Sequence, residues 1–273
     1  MKAIDIHLHA GFGGATVDAM KDTAETYRKN DVLGLPIAWD EETRTGRPPI
    51  SNDFVADCLR AFPDVFPTGW ACVDPWKAKA AVLEIERAVK ELGLIGVKFQ
   101  AAAQEFFAND RRFYPVWDAC QSLGCPILFH TGTTGYGVGQ PGGGGIKLKY
   151  TRPIPYLDDV AADFPRLTVI GAHPSWPWQD EMLAMVVHKS NVFIEVSGWS
   201  PKYFPEQLKR EIRGRMQDRV MFGSDHPFIT VERWLRDWEL EGYSPDVTEK
   251  VLFKNAQRIL KLPVGQGAKV EAQ

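Results

Sequence analysis

Long apolar runs are missing from this sequence. None approaches the ~20 consecutive apolar residues of a membrane-spanning helix, so no bilayer span is expected. The opening MKAIDIHLHA has neither an apolar signal core nor a small-residue cleavage pattern, which argues against a secretory leader. A soluble, cytoplasmic protein is the expectation. Cysteine is scarce: Cys58, Cys72, Cys120 and Cys125 form no C-x-x-C pair. Disulfides are disfavoured in that compartment, and Cys120 and Cys125 read as small buried apolar residues rather than a redox pair. An excess of positive charge is also absent. Lys and Arg number 32 against 35 Asp and Glu, a net charge of −3, with no basic run. There is no electrostatic case for nucleic acid or an anionic membrane as partner. The glycines of Gly132–Pro155 lack the G-x-x-x-x-G-K-[ST] pattern, which excludes a P-loop.

What is present is a rhythm. Short apolar runs alternate with longer amphipathic stretches, the pattern of parallel strands joined by crossover helices. Eight candidate strands are Ala3–His9, Val32–Trp39, Phe66–Val73, Ile95–Gln100, Pro126–His130, Leu167–His173, Val192–Ser197 and Val220–Ser224. Several are continuously apolar, as for strands covered on both faces. Gly34 and Pro36 make the second the weakest. Helices are predicted over Asn52–Phe62 (capped by Ser51 or Asn52), Lys77–Leu92, Tyr114–Leu123 (ending at Gly124), Tyr156–Asp163, Gln179–His188 and Thr248–Lys261. The 273 residues lie near the ~250 of one barrel. No repeat or linker divides them. The expected fold is α/β, a single (β/α)₈ TIM-like barrel domain over residues 1–273.

Two long loops, Asp40–Pro49 and Gly132–Pro155, follow strands and so belong at the C-terminal mouth, where barrel active sites lie. The glycine-rich one reads as a mobile lid or as an insertion without a role.

Histidine is rare, six in all, and its placement is informative. Side chains two apart on a strand share a face, so His7 and His9 point the same way, with Ile6 and Leu8 expected toward the covering helices. Alone, H-x-H is a weak motif. But His130 ends one strand, His173 another, and Asp225 follows the last. Histidines and a carboxylate meeting at one rim suit zinc or a similar first-row ion. His188 falls late in a helix, and His226 is expected to face away from Asp225.

The set D-I-H-L-H, I-L-F-H-T-G, V-I-G-A-H and F-G-S-D-H-P-F resembles the amidohydrolase superfamily, in its amidohydrolase-related (type 2) branch. That branch holds aminocarboxymuconate semialdehyde and resorcylate decarboxylases, a hydratase, and lactone and C–C hydrolases. The resemblance implies one divalent metal ion, zinc first and manganese second, held by His7, His9, His130 and Asp225. It implies catalytic roles for Asp225, as general base, and for His173, which would lie beside the metal with ligation as its fallback. Lys98, at the end of strand four, reads as a contact to a substrate carboxylate or as a rim lysine paired to an acid. Trp176 and Trp199 read as pocket walls or as loop packing. Arg44, Arg47 and Arg152, in the long loops, are candidates for an anion clamp. The branch usually follows its strand-six histidine with a glycine-rich turn, whereas here Pro174-Ser175-Trp176-Pro177-Trp178 follows. The leading expectation is a metal-dependent hydrolase of a small carbonyl compound (lactone, ester or ring-cleavage product). The alternative is a non-oxidative decarboxylase, a lyase acting on an aromatic or muconate-type acid, or a hydratase. A barrel that only binds is the reading from another class, and the complete ligand set argues against it. The partner is a small molecule, and a homo-oligomer is left open.

Overall fold

The computed structural model describes residues 3–262. Its eight strands are β1 (Ala3–His9), β2 (Val32–Ile37), β3 (Trp70–Cys72), β4 (Gly96–Phe99), β5 (Ile127–His130), β6 (Val169–Ala172), β7 (Val192–Glu195) and β8 (Val220–Met221). Each pairs in parallel with the next, in the order β1 to β8. The ring closes where β8 meets β1: Ile6 N donates to Phe222 O at 3.1 Å, Asp225 N to His7 O at 2.9 Å, and His9 N to His226 O at 2.9 Å. This is the (β/α)₈ barrel that the alternation predicts. No helix among the described residues is long and apolar enough to cross a membrane.

The eight strands fall on the eight candidates, mostly trimmed at their ends. The helices are less complete. Tyr114–Leu123 and Gln179–His188 have the predicted bounds. Ser51 is the cap of Asn52–Ala61, its hydroxyl accepting from Phe54 N at 3.1 Å. Helices at Lys21–Lys29, Glu206–Arg213 and Val231–Leu240 were not anticipated. Their charged outer faces hide a narrow apolar stripe, such as Trp234, Leu235 and Trp238. The last predicted helix, Thr248–Lys261, starts earlier and runs without a break through Pro245–Glu249, a π-type stretch at Lys250–Lys254 and Asn255–Ile259.

The barrel interior is layered. At the bottom sit Ile4, Ile6, Leu33, Leu35, Trp70, Leu128, Ile170 and Met221, closed off by Leu260 and Leu262. One strand step higher the same interior faces carry His7, Lys98, His130 and Glu195. Ile6 therefore belongs to the interior and not to the helix side. The pairing of β1 with β2 shifts between Asp5 and Leu8. Such a bulge resets the alternation, so Asp5 faces outward to Tyr27, while His7 and His9 both face in and Leu8 joins the outer core.

The two long loops meet over the mouth. Tyr136 OH donates to Glu41 Oε1 at 2.7 Å, and Arg47 Nη1 to Tyr136 OH at 2.5 Å; Arg44 Nη2 reaches instead to Glu105 Oε2, after β4, at 2.5 Å.

Candidate metal centre and active site

The strand ends bring the five candidate residues together. His9 Nε2 and His7 Nε2 lie 3.0 and 3.2 Å from Asp225 Oδ1, and 3.3 Å from each other. His173 Nε2 lies 3.1 Å from His130 Nδ1. The donor atoms of His7, His173 and Asp225 all fall within 4.8 Å of one another. His173 thus stands within that spacing of two expected ligands, His7 and Asp225, and beside a third, His130.

Tautomer logic shows what this cluster lacks. A carbonyl or carboxylate oxygen can only accept. His173 Nδ1 is 3.0 Å from Ser197 O, His130 Nε2 is 3.0 Å from Thr133 O, and His7 Nδ1 is 2.6 Å from Glu195 Oε1. Each of those nitrogens carries the proton. The opposite nitrogens, His173 Nε2, His130 Nδ1 and His7 Nε2, are then bare lone pairs. They face one another and Asp225 Oδ1, which is buried without a hydrogen bond of good geometry. Lys98 Nζ reaches His7 Nε2 at 3.4 Å, but His130 Nδ1, His173 Nε2 and Asp225 Oδ1 remain acceptors crowded together, which repel unless a cation stands among them. The residues present therefore fit one divalent ion of the imidazole- and carboxylate-loving kind.

The electrostatics agree. Burial, with Lys98 beside it, pushes His7 well below the usual histidine value. Burial and the neighbouring His173 do the same to His130, and burial lowers His173. These rings are held neutral, the form that ligates metal. Burial alone would raise the Asp225 carboxyl, but the positive charge that His7, His9 or His173 carries when protonated, with a hydrogen bond from His9, outweighs it and holds it well below the usual range. Asp225 is ionised.

The backbone is bent to aim these groups. His173 and Asp225 adopt φ of 73° and 69°, a region uncommon outside glycine and concentrated at functional sites. Gly198 has φ of 72°, and a Cβ there would come within 2.8 Å of His173 Nδ1 and 3.1 Å of Asp225 Oδ2. Gly198→Ala is expected to cost about 1–3 kcal/mol of stability and to lower turnover at least tenfold. Thermal melts and kinetics on the same preparation check it, and wild-type turnover would refute the contact.

Lys98 is 1% exposed, with Nζ 3.4 Å from His7 Nε2. Burial lowers it to about 8. The aromatic walls extend beyond expectation. Phe12, Trp39 and Phe228 stand 5.2, 5.6 and 5.9 Å from the His9 ring, centroid to centroid. Trp176 and Trp199 lie 6.4 Å apart, with Trp176 half exposed. The three loop arginines are engaged: Arg44 with Glu105, Arg47 with Tyr136, and Arg152 with Glu181. His188 is exposed, and His226 packs edge-on against Tyr27, away from the cluster. Glu195 and Ser197 were missed. Only their place at the end of a strand hinted at them.

Comparison with known proteins returns decarboxylases and a hydrolase. Decarboxylase orsB of Emericella nidulans is 25% identical over 227 residues, 67% of this chain and 66% of that protein. The chain thus spans just under two thirds of that relative's length. A gamma-resorcylate decarboxylase of Polaromonas sp. is 24% identical over 253 residues, 78% of this chain and 75% of that protein. Among solved structures, an uncharacterized TIM-barrel protein from Bordetella bronchiseptica superposes with a TM-score of 0.77 at 22% identity, covering 96% of this chain and 99% of that one. A dihydroxybenzoic acid decarboxylase from Polaromonas sp., with bound manganese and 2-nitroresorcinol, gives 0.66 at 18% identity over 95% and 96%. A probable 2-pyrone-4,6-dicarboxylic acid hydrolase from Acinetobacter baumannii gives 0.69 at 16% identity over 96% and 100%. Residues 4–262 match the amidohydrolase family, and the chain, an enzyme, belongs to it.

Proposed function

We propose that this enzyme is a metal-dependent decarboxylase of a hydroxylated aromatic acid, working as a single barrel domain. The observation that carries this reading is the aromatic collar. Phe12, Trp39 and Phe228 crowd the His9 ring, and Phe12 and Phe228 are more than half exposed. Stiff apolar rings around a polar floor suit a flat aromatic substrate whose carboxylate points down. The two curated relatives, both named decarboxylases, support the same choice over the hydrolase expected first from the motifs.

His7, His9, His130 and Asp225 would hold the ion, with His173 beside them. A bound divalent ion supplies Lewis acidity, and at neutral pH lowers the pKa of water; zinc and manganese both suit the donor set. Lys98 Nζ, under the cluster, would add positive charge below the substrate carboxylate. The collar holds the ring and excludes water. When the carboxyl carbon leaves as carbon dioxide, the bonding electron pair stays on the ring carbon. That carbon then takes a proton; His173 Nε2, bare in the resting site, would first take it up from solvent and then hand it on.

The second reading is hydrolysis of a lactone-type ring. The ionised Asp225 favours it, because a carboxylate at that position can accept a hydrogen bond from a water and orient it for attack. A panel of hydroxybenzoates and a 2-pyrone dicarboxylate, incubated with manganese- and zinc-loaded enzyme, separates the two. Carbon dioxide release from a hydroxybenzoate is expected. Pyrone opening without any carbon dioxide release would overturn the decarboxylase assignment.

A further inference from the structure

No residue of β7 belongs to the expected site, yet its end supplies the backstop of that site. Glu195 and Ser197 are both fully buried. Ser197 Oγ lies 3.0 Å from His7 Nδ1, 2.9 Å from His173 Nδ1 and 2.9 Å from Glu195 Oε1. We propose that Glu195 and Ser197 are positioning residues, which set the tautomer and the aim of two rings on different strands and thereby the tightness with which the site holds a divalent cation.

The proton inventory supports this. Both Nδ1 atoms already carry protons, because His7 donates to Glu195 Oε1 and His173 to Ser197 O. A serine hydroxyl has one proton to give and two lone pairs to receive with. Its proton therefore goes to Glu195 Oε1, and its lone pairs face the two ring N–H groups. Glu195 Oε2 accepts from Ser197 N at 2.7 Å. The count closes with Glu195 accepting at both oxygens. Both rings are then left with a bare Nε2 aimed at Asp225 and the mouth. A partner on the far nitrogen of a metal-binding imidazole fixes its tautomer and orientation.

Packing leaves the clamp little freedom. A Cβ on Gly223 would come within 2.5 Å of Glu195 Oε2, and within 2.9 Å of both His7 Cβ and Ser197 Cβ. The carboxylate is boxed in on the side away from the rings. Nothing in this arrangement depends on whether the reaction is decarboxylation or hydrolysis.

Two measurements on full-length protein test it. The first is zinc and manganese affinity, read by competition with a chelator of known affinity. Glu195→Gln should weaken binding by about 10–100-fold, in line with partners of metal-bound histidines elsewhere, and Ser197→Ala by about 3–10-fold. Ser200→Ala is the control. It removes a buried hydroxyl that donates to Asp237 Oδ2 at 2.7 Å in the following turn, so it should lower the melting temperature and leave metal affinity unchanged. The second is the nitrogen-15 spectrum of imidazole-labelled, metal-free protein. In wild type His7 and His173 should be protonated at Nδ1, and in Glu195→Gln the Nε2-protonated form of His7 should appear. Affinity within twofold of wild type in both variants, or unchanged ring tautomers in Glu195→Gln, overturns the proposal. If Glu195→Gln does not fold, Ser197→Ala decides by the same two readings. Wild-type protein that takes up neither metal overturns the metal reading of the site, and the metal-free spectra still decide the clamp.

Discussion

Chelation to metal-free protein is expected to bring turnover below about 1% of the loaded enzyme, because the Lewis acidity and activated water of such centres come from the ion itself. Adding back about one equivalent of zinc or manganese should restore it. The reason lies in the facing lone pairs. His130 Nδ1 and His173 Nε2 stand 3.1 Å apart with no proton assigned between them, and His7 Nε2 stands 3.2 Å from Asp225 Oδ1. Removing the ion leaves these acceptors to repel or to draw in protons. The same balance predicts a stability change. A ligand that binds only the folded state at a hundred times its Kd stabilises by about 2.7 kcal/mol, which for a chain of this size raises the melting temperature by roughly 5–10 °C. Melts with and without metal, alongside elemental analysis, give both numbers. Full turnover in protein verified to be metal-free would overturn the metal assignment.

Asp225→Asn is expected to lower kcat by about 10³-fold or more, the scale seen when a single electrostatic or proton-handling group is removed from a preorganised site. The substitution is clean in shape. Asn tolerates positive φ as well as Asp does, so the 69° backbone and the bond from residue 225 N to His7 O at 2.9 Å should persist. What changes is the charge. An amide neither neutralises a cation nor accepts a proton at neutral pH, and its NH₂ would meet either the His9 and His7 nitrogens or the ion. Metal affinity should fall together with kcat. A crystal structure of the variant with bound metal would show the fold retained. Turnover within tenfold of wild type would remove Asp225 from both of its roles.

Much of the architecture was legible because it depends on local pattern. β5 is the apolar ILFH and β6 the apolar VIGA, each buried along its length. Continuous apolar runs of this kind stay readable without tertiary context. Lys21–Lys29 was missed because only Ala24 and Tyr27 are buried in it, too thin a stripe to mark a helix in a charged segment. Glu206–Arg213 fails for the same reason, its charged residues outnumbering its apolar ones. In the final helical region the hydrogen bonding changes to a π pattern over Lys250–Lys254, which no side-chain period announces.

The sequence by itself determined the barrel, the order of its strands, and the rim at which His7, His9, His130, His173 and Asp225 meet. It could do so because strand alternation and strand ends are one-dimensional properties. Tertiary structure alone decided the rest. It reset the phase of β1 through pairing with β2, sending Ile6 inward beside the histidines. It brought the His173 donor atom within 4.8 Å of those of His7 and Asp225. It also brought Glu195 and Ser197, 188 and 190 residues along the chain from His7, against that ring. Closure of the ring turns the inward side chains of β1 and β7 toward one interior, and no local pattern records which polar side chains then share one buried proton network.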